Sequence, residues 1–318
     1  MKSFVIKISL FVSMLILISY GMYSILNMYQ QKYYGSRTKV RWAMELKDKH
    51  VDYLFLGSSR MANMIAMQDF DRSMQSSSLN IATSGSSYGE SYLLFQQYLK
   101  NGNTAKSLIL SLDLFKGRHT KKDIEVLTPL VLKHFDFFPY YQQAHVRDVY
   151  ADYTDSWHLY LWDYLPFSRY AEFNQYFKVD SALAYFTEHK QVAIPYNTTN
   201  GEQLITNHTF KGEKYAAPGI IYIGPRAEKY LLATLKLAKE NNIQIILVSA
   251  PYYSMALFDR TYHTRYVHFL EEQYGARYID FTASKTWQEA RCFSDPIHTN
   301  DIGSRIYTQM LADSLSRK

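Results

Sequence analysis

Residues 51–60 read Val51-Asp52-Tyr53-Leu54-Phe55-Leu56-Gly57-Ser58-Ser59-Arg60. A β-prone run stops at a glycine, and two serines open a stretch that reads as a helix to about Ser73. A strand that turns directly into a helix is the opening unit of an α/β fold with a parallel sheet. Ligands in such folds gather at the carboxyl ends of the strands, which places Ser59 where chemistry would be done. A helix start also presents backbone N–H groups that lack an intrahelical acceptor and can face a developing negative charge. Capping that helix is the plain alternative task for Ser58 or Ser59.

The same alternation continues outward. Leu79-Asn80-Ile81-Ala82 is a short second strand, closed by the small-residue loop Thr83-Ser84-Gly85-Ser86-Ser87. Residues 88–99 read as a helix with Tyr92, Phe95 and Leu99 on one face, and residues 107–112 as a third strand. After Pro225, a helix through Lys239 leads to the continuous apolar strand Ile243-Gln244-Ile245-Ile246-Leu247-Val248. A helix over 261–274, a last strand over 277–281 and a final amphipathic helix marked by Ile302, Ile306, Met310 and Leu315 complete the pattern. It predicts a three-layer α/β/α sandwich around a parallel sheet. From about 116 to 224 the alternation lapses into an aromatic-rich stretch with Phe135-Asp136-Phe137-Phe138-Pro139-Tyr140-Tyr141, Trp157 and Trp162, expected to be an inserted helical cap. Such rings either pack the cap's own core or stack on sugars. Trp157 and Trp162 cannot share one helical face.

Near the C-terminus stands Phe293-Ser294-Asp295-Pro296-Ile297-His298-Thr299-Asn300. Asp and His three residues apart can converge from one tight turn. A serine hydroxyl is a weak nucleophile until an imidazole takes its proton, and the imidazole needs a carboxylate to fix its tautomer. Ser59, His298 and Asp295 can supply that set. No His-x-x-x-His or cysteine cluster suggests a metal site.

Taken in this order, the two segments resemble the SGNH (GDSL-like) hydrolase superfamily. There the serine follows the first strand, and an Asp-x-x-His block precedes the last helix. Gly57-Ser58-Ser59 stands where Gly-Asp-Ser is commoner, as in the membrane-anchored DltD-like and polysaccharide O-acetylation-type branch. The resemblance runs from about Val51 to the C-terminus, with a divergent middle. It implies an SGNH-hydrolase/flavodoxin-like fold, Ser59 as nucleophile, His298 as base, Asp295 as its orienting carboxylate, and the N–H groups of Ser59 and Gly85 as oxyanion donors. It needs no cofactor, and leaves Arg60, Trp157 and Trp162 as candidates for substrate contact. It further implies an esterase or O-acyltransferase acting on acyl esters of a bacterial cell-surface glycan, with a membrane-bound O-acyltransferase as a partner. The family's Gly-x-Asn-Asp block is absent, and Leu112-Asp113-Leu114-Phe115 stands in its place. That departure keeps a second class open, a non-catalytic accessory protein of a polysaccharide O-acylation or export complex.

From Ile8 to Leu26 the chain carries no charge over roughly 19 residues, long enough to span a bilayer. Lys2 and Lys7 precede the run. Ser19-Tyr20-Gly21 is a loose match to a cleavage site, but the apolar run continues past it through Met22, Tyr23, Ile25 and Leu26. The expectation is an uncleaved signal anchor over 1–28, a juxtamembrane linker and helix over 29–50, and the α/β domain over 51–318. Lys32, Arg37, Lys39 and Arg41 after the span argue for retaining that domain inside, whereas the resemblance argues for export. Following the resemblance predicts a single-pass protein of the bacterial inner membrane with its catalytic domain outside the cytoplasm. The lone Cys292 excludes an internal disulfide. In 318 residues, 47% hydrophobic content suffices for a core, and the net charge of +6 is scattered, with no basic block suited to nucleic acid.

Overall fold

The computed structural model describes residues 2–32, 38–112, 116–117, 135–172, 187, 194–212, 220–221, 223–253, 261–282 and 285–317. The chain divides into two compact units, one of Met1–Arg41 with Val131–Ala193, the other of Trp42–Leu130 with Ile194–Lys318.

The second unit is built on a five-stranded sheet. Its strands are β1 (His50–Leu56), β2 (Ser78–Asn80), β3 (Thr104–Ser111), β6 (Gln244–Ser249) and β7 (Arg277–Asp280). They are parallel throughout and run in the order β2-β1-β3-β6-β7. A two-stranded antiparallel ribbon, β4 (Lys116–Gly117) with β5 (Ile220–Ile221), stands apart from them. The order of the five strands reverses between β1 and β3, and an open α/β sheet binds ligands at such a reversal. Register aligns Phe55, Ile109 and Ile246 across the sheet, with Leu54, Leu108 and Ile245 on one side of that row and Leu56, Leu110 and Leu247 on the other. Successive rows point to opposite faces. All nine residues are at most 2% exposed, so both faces are covered, and the strands therefore read as unbroken apolar runs.

Helices α4 (Met67–Met74) and α11 (Asp301–Ser316) pack on each other and on the Phe55 row, where Phe70, Tyr307 and Leu311 close the core. Helices α5 (Tyr88–Lys100) and α9 (Pro225–Glu240) form a second pair. Helix α5 starts at a capping box, in which Ser87 and Glu90 satisfy each other's backbone N–H groups.

Three expectations about helices are corrected. The helix predicted over 59–73 is two helices, α3 (Ser59–Ala62) and α4. Asn63 ends the first, and Met64, Ile65 and Ala66 sink into the core, with the Ala66 N–H on Thr308 Oγ1 at 2.9 Å. The buried stripe of α5 is Leu94, Phe95 and Tyr98, while Tyr92 turns sideways to meet Tyr230 of α9 at 5.6 Å. In α11 Tyr307 and Leu311 are fully buried and Ile306, Met310 and Leu315 pack partly buried beside them, whereas the fourth expected position, Ile302, is exposed.

In the first unit, α1 (Lys2–Lys32) is long and apolar enough to cross a membrane over Lys2–Met28. It packs against a 3-10 turn at Phe135–Tyr140 and against α8 (Phe167–Glu172). Between these lie α6 (Ala144–Tyr153) and α7 (Ser156–Tyr164). The aromatic stretch is thus not one cap. Residues 135–172 belong with α1, and residues 194–212 run as an irregular strap along the α/β unit. The strap adds to the edge at β2, where the Asn80 N–H donates to Asn200 O at 2.8 Å. Gly201, at φ +77°, allows that approach. The remainder of the expected cap, and residues 33–37 of the linker, lie outside the described residues.

Candidate functional site

Strand β1 ends at Leu56, and the chain reverses through Gly57 at φ +148°. A Cβ at Gly57 would lie 2.6 Å from Ser111 Cβ of β3 and 3.2 Å from Met61 Cβ. Only glycine fits this turn, which sets Ser59 as the first residue of α3. Ser58 occupies the N-cap position without a capping hydrogen bond from its side chain. The capping role weighed for these serines is therefore not taken up by Ser58.

The imidazole comes from the other end of the unit. β8 (Phe293–Asp295) and β9 (His298–Thr299) form a hairpin in which Asp295 pairs with His298 across Pro296 and Ile297. Asp295 Oδ1 accepts the N–H groups of Ile297 at 2.8 Å and His298 at 2.9 Å. Its Oδ2 lies 2.8 Å from His298 Nδ1. His298 Nε2 lies 2.8 Å from Ser59 Oγ. Two side chains three positions apart and a third 239 positions from His298 thus form one hydrogen-bonded series.

The charge pattern assigns the protons. Burial pushes the Asp295 carboxyl up, but the His298 side-chain bond, the two N–H bonds and the nearby imidazole outweigh it and hold the group below the usual carboxylate range. An ionised Asp295 can only accept, so His298 Nδ1 carries hydrogen and Nε2 is left to accept from the Ser59 hydroxyl. The imidazole is mostly shielded, with 16% of its side chain exposed, while Asp295 is half-exposed.

Backbone contacts fix the two turns. Asn300 caps α11 through the Gly303 N–H and donates from Nδ2 to Arg291 O at 2.8 Å and Phe293 O at 3.2 Å, which pins the hairpin to the helix behind it. The Tyr253 N–H, just beyond β6, donates to Pro296 O at 3.0 Å. Thr83 N–H donates to Gly57 O at 3.2 Å, so the loop holding Gly85 adjoins the turn that carries Ser59. Gly85 itself is exposed, at φ +74°.

Arg60, considered for substrate contact, is buried and already engaged. Its Nη2 donates to Ala250 O and, at 2.9 Å, to Pro251 O, while the guanidinium lies 3.6 Å from the Tyr252 ring centroid. Trp157 and Trp162 belong to α7 of the other unit. Trp162 is fully buried against Phe138, Tyr141 and Tyr150, whereas Trp157 is 66% exposed. Asp113, Leu114 and Phe115, at the place of the missing Asn block, lie outside the described residues. No group of three metal-ligating side chains occurs among the described residues.

Sequence reasoning missed two neighbours of the site. One is the tie from Arg60 to the loop after β6. The other is His208 of the strap, whose Nε2 lies 3.0 Å from Asp301 Oδ1, three residues beyond His298. Asn207 and Thr209 form a legible Asx turn there, but nothing local tells where it docks. No family model and no curated protein matches the chain.

Proposed function

We propose that the chain is a membrane-anchored serine ester hydrolase or O-acyltransferase of the SGNH type, acting on acyl esters of a bacterial cell-surface polysaccharide. The observation that carries this reading is the series Ser59 Oγ–His298 Nε2–His298 Nδ1–Asp295 Oδ2, with both links at 2.8 Å. Such a series has a direct chemical use. Ser59 Oγ attacks the ester carbonyl carbon as His298 Nε2 takes the hydroxyl proton. The tetrahedral oxyanion faces the N–H groups of Ser59 and Gly85. Collapse breaks the ester C–O bond, and the leaving alkoxide takes the proton from His298. The acyl group is then on Ser59. Water, or a sugar hydroxyl, gives its proton to His298 and attacks the acyl carbon, and Ser59 leaves with the proton returned. Water as acceptor gives deacylation and a sugar hydroxyl gives transfer. Asp295 holds the imidazole and stabilises its charged form. In this reading α1 anchors the chain in the inner membrane, with the α/β unit outside the cytoplasm.

The test is labelling of the full-length protein with a fluorophosphonate probe. Mass spectrometry should place the adduct on Ser59, and Ser59→Ala should abolish it. A folded protein that takes no label, or takes it on Ser58 with Ser59→Ala still reactive, would overturn the proposal. An unlabelled but folded protein would instead fit an accessory role in polysaccharide O-acylation.

A further inference from the structure

Helix α7 presents Trp157, Tyr160 and Tyr164 to solvent at 66%, 56% and 63% exposure. At positions i, i+3 and i+7 they fall within about 60° of arc on one face. Trp162, on the opposite face, is buried in the unit's core. Trp157 and Tyr160 stack at 6.2 Å with 17° between planes, and Tyr160 meets Tyr164 at 4.5 Å. The carboxylates of this helix are turned to local partners. Asp155 lies 2.6 Å from His158 Nδ1, and Asp163 is paired with Arg147 at 2.5 Å.

This ridge belongs to the same compact unit as α1. Helix α8, which follows α7 and packs on it, also packs on α1. Arg169 of α8 is fully buried, with its guanidinium 5.0 Å from the ring of Tyr23, 4.4 Å from Tyr141 and 6.0 Å from Phe138. That contact fixes the depth of α8 along α1. A hydrocarbon core of about 30 Å takes about 20 helical residues, which counted from Ile8 ends near Asn27. Tyr23 is one turn short of that end, so α8 sits at the membrane boundary, and α7 joins it through two residues.

We infer that the Trp157–Tyr160–Tyr164 face of α7 docks in the headgroup region of the bilayer that α1 crosses. Tyrosine and tryptophan combine an apolar ring with a polar tip, and they collect at that level of the membrane. The most exposed side chains of this face are rings with polar tips, with Leu161 only partly exposed beside Trp157, which suits the interface rather than the hydrocarbon. A glycan fits it less well. The rings form a convex ridge and cover part of one another's faces, whereas small-molecule sites are concave. The inference rests on α1 crossing the bilayer and is independent of the chemistry proposed for Ser59.

The test uses the full chain in nanodiscs and compares its fluorescence with that of Trp157→Phe, so that the difference reports Trp157 alone. The expected result is a blue-shifted Trp157 emission that iodide does not quench. Lipids brominated near the headgroup should quench it by roughly half or more, as expected of an interfacial indole. A dye on Tyr160→Cys should respond in the same way, because the native Cys292 is buried. Quenching by iodide without quenching by brominated lipid would overturn the inference. So would protection from iodide by soluble polysaccharide alone, which would make the face a glycan platform. A chain that does not enter nanodiscs would remove α1 as a span and the docking with it, while leaving the fluorophosphonate test of Ser59 untouched.

Discussion

Replacing Gly57 by alanine tests how the turn that carries Ser59 is held. The new methyl would lie 2.6 Å from Ser111 Cβ, against the roughly 3.5–4 Å at which carbon atoms rest. Relief therefore needs a movement of about 1 Å, between a turn and a strand at the centre of the sheet. Overpacking of this kind costs about 1–3 kcal/mol, and φ +148° imposed on a residue with a Cβ adds about another 1–3. The stability loss should be about 2–6 kcal/mol, measured by denaturant unfolding. The chemistry should suffer separately. Ser59 is two residues away, and a misplacement of about 1 Å costs on the order of a hundredfold in rate. Fluorophosphonate labelling should slow by that factor under conditions where the variant remains folded. Adding Ser111→Gly removes the Cβ–Cβ overlap but not the backbone strain, so the pair should recover only the packing part of the loss. Wild-type stability and labelling in Gly57→Ala would refute the reasoning. A double variant no better than the single one would show that Ser111 is not what the methyl meets.

The remaining expectations are more local. His298→Ala should reduce labelling and ester turnover on the order of a thousandfold or more, and Asp295→Asn should reduce them less, because it misplaces the base without removing it; near-full turnover in His298→Ala would refute the assignment. Trp162→Ala should cost about 3–5 kcal/mol in a melting or denaturant assay, since the indole fills the space between Phe138, Tyr141 and Tyr150, and a loss below about 1 kcal/mol would mean that this core can collapse around the gap. Burial lowers the Lys39 ammonium to about 7, and its Nζ finds no acceptor among the described residues. The unfolded chain therefore binds the proton more tightly, so stability should rise with pH from about 7 to about 10.5 and flatten below. Lys39→Met should abolish that slope and raise stability at neutral pH on the order of 4 kcal/mol; an unchanged pH profile would refute it.

How much was legible in the sequence depended on how local each feature is. The Asp295–His298 relation closes within one two-residue hairpin, so spacing alone announces it. Strands β3 and β6 are buried on both faces, and their apolar runs were plain before any partner was known. Ser59 could be placed because Gly57 stops a strand just before it. The errors arose where a second element decides. Tyr92 looked like core but serves the contact with Tyr230, and Ile302 looked like core but lies on the open side of α11. The division of the aromatic insert was hidden for the same reason. Residues 135–172 complete their packing on α1, more than a hundred positions upstream, and no window of sequence contains both partners. Arg60 invited a role in binding because it follows the candidate nucleophile, and the structure adds that its Nη2 donates to the carbonyls of Ala250 and Pro251.

That use of Arg60 explains how a short helix can hold the Ser59 geometry. Helix α3 has four residues, too few to be stable by itself. Its position is set by contacts at both ends. Gly57 O accepts from Thr83 in the loop after β2, and Arg60 ties the first turn to Ala250 and Pro251 at the end of β6. Two residues further on, the Tyr253 N–H reaches Pro296 in the turn between Asp295 and His298. One loop therefore contacts both sides of the Ser59–His298 bond, from Arg60 on one side and Pro296 on the other. Ser59 Oγ and His298 Nε2 approach to 2.8 Å with both turns fastened to the same short stretch of backbone. In the proposed chemistry such an arrangement would keep Ser59 and His298 in register before a substrate arrives, which is the condition under which orientation contributes to rate. It also makes the loop after β6 as important to the site's geometry as the two motifs themselves, although residues 250–253 carry no member of the hydrogen-bonded series.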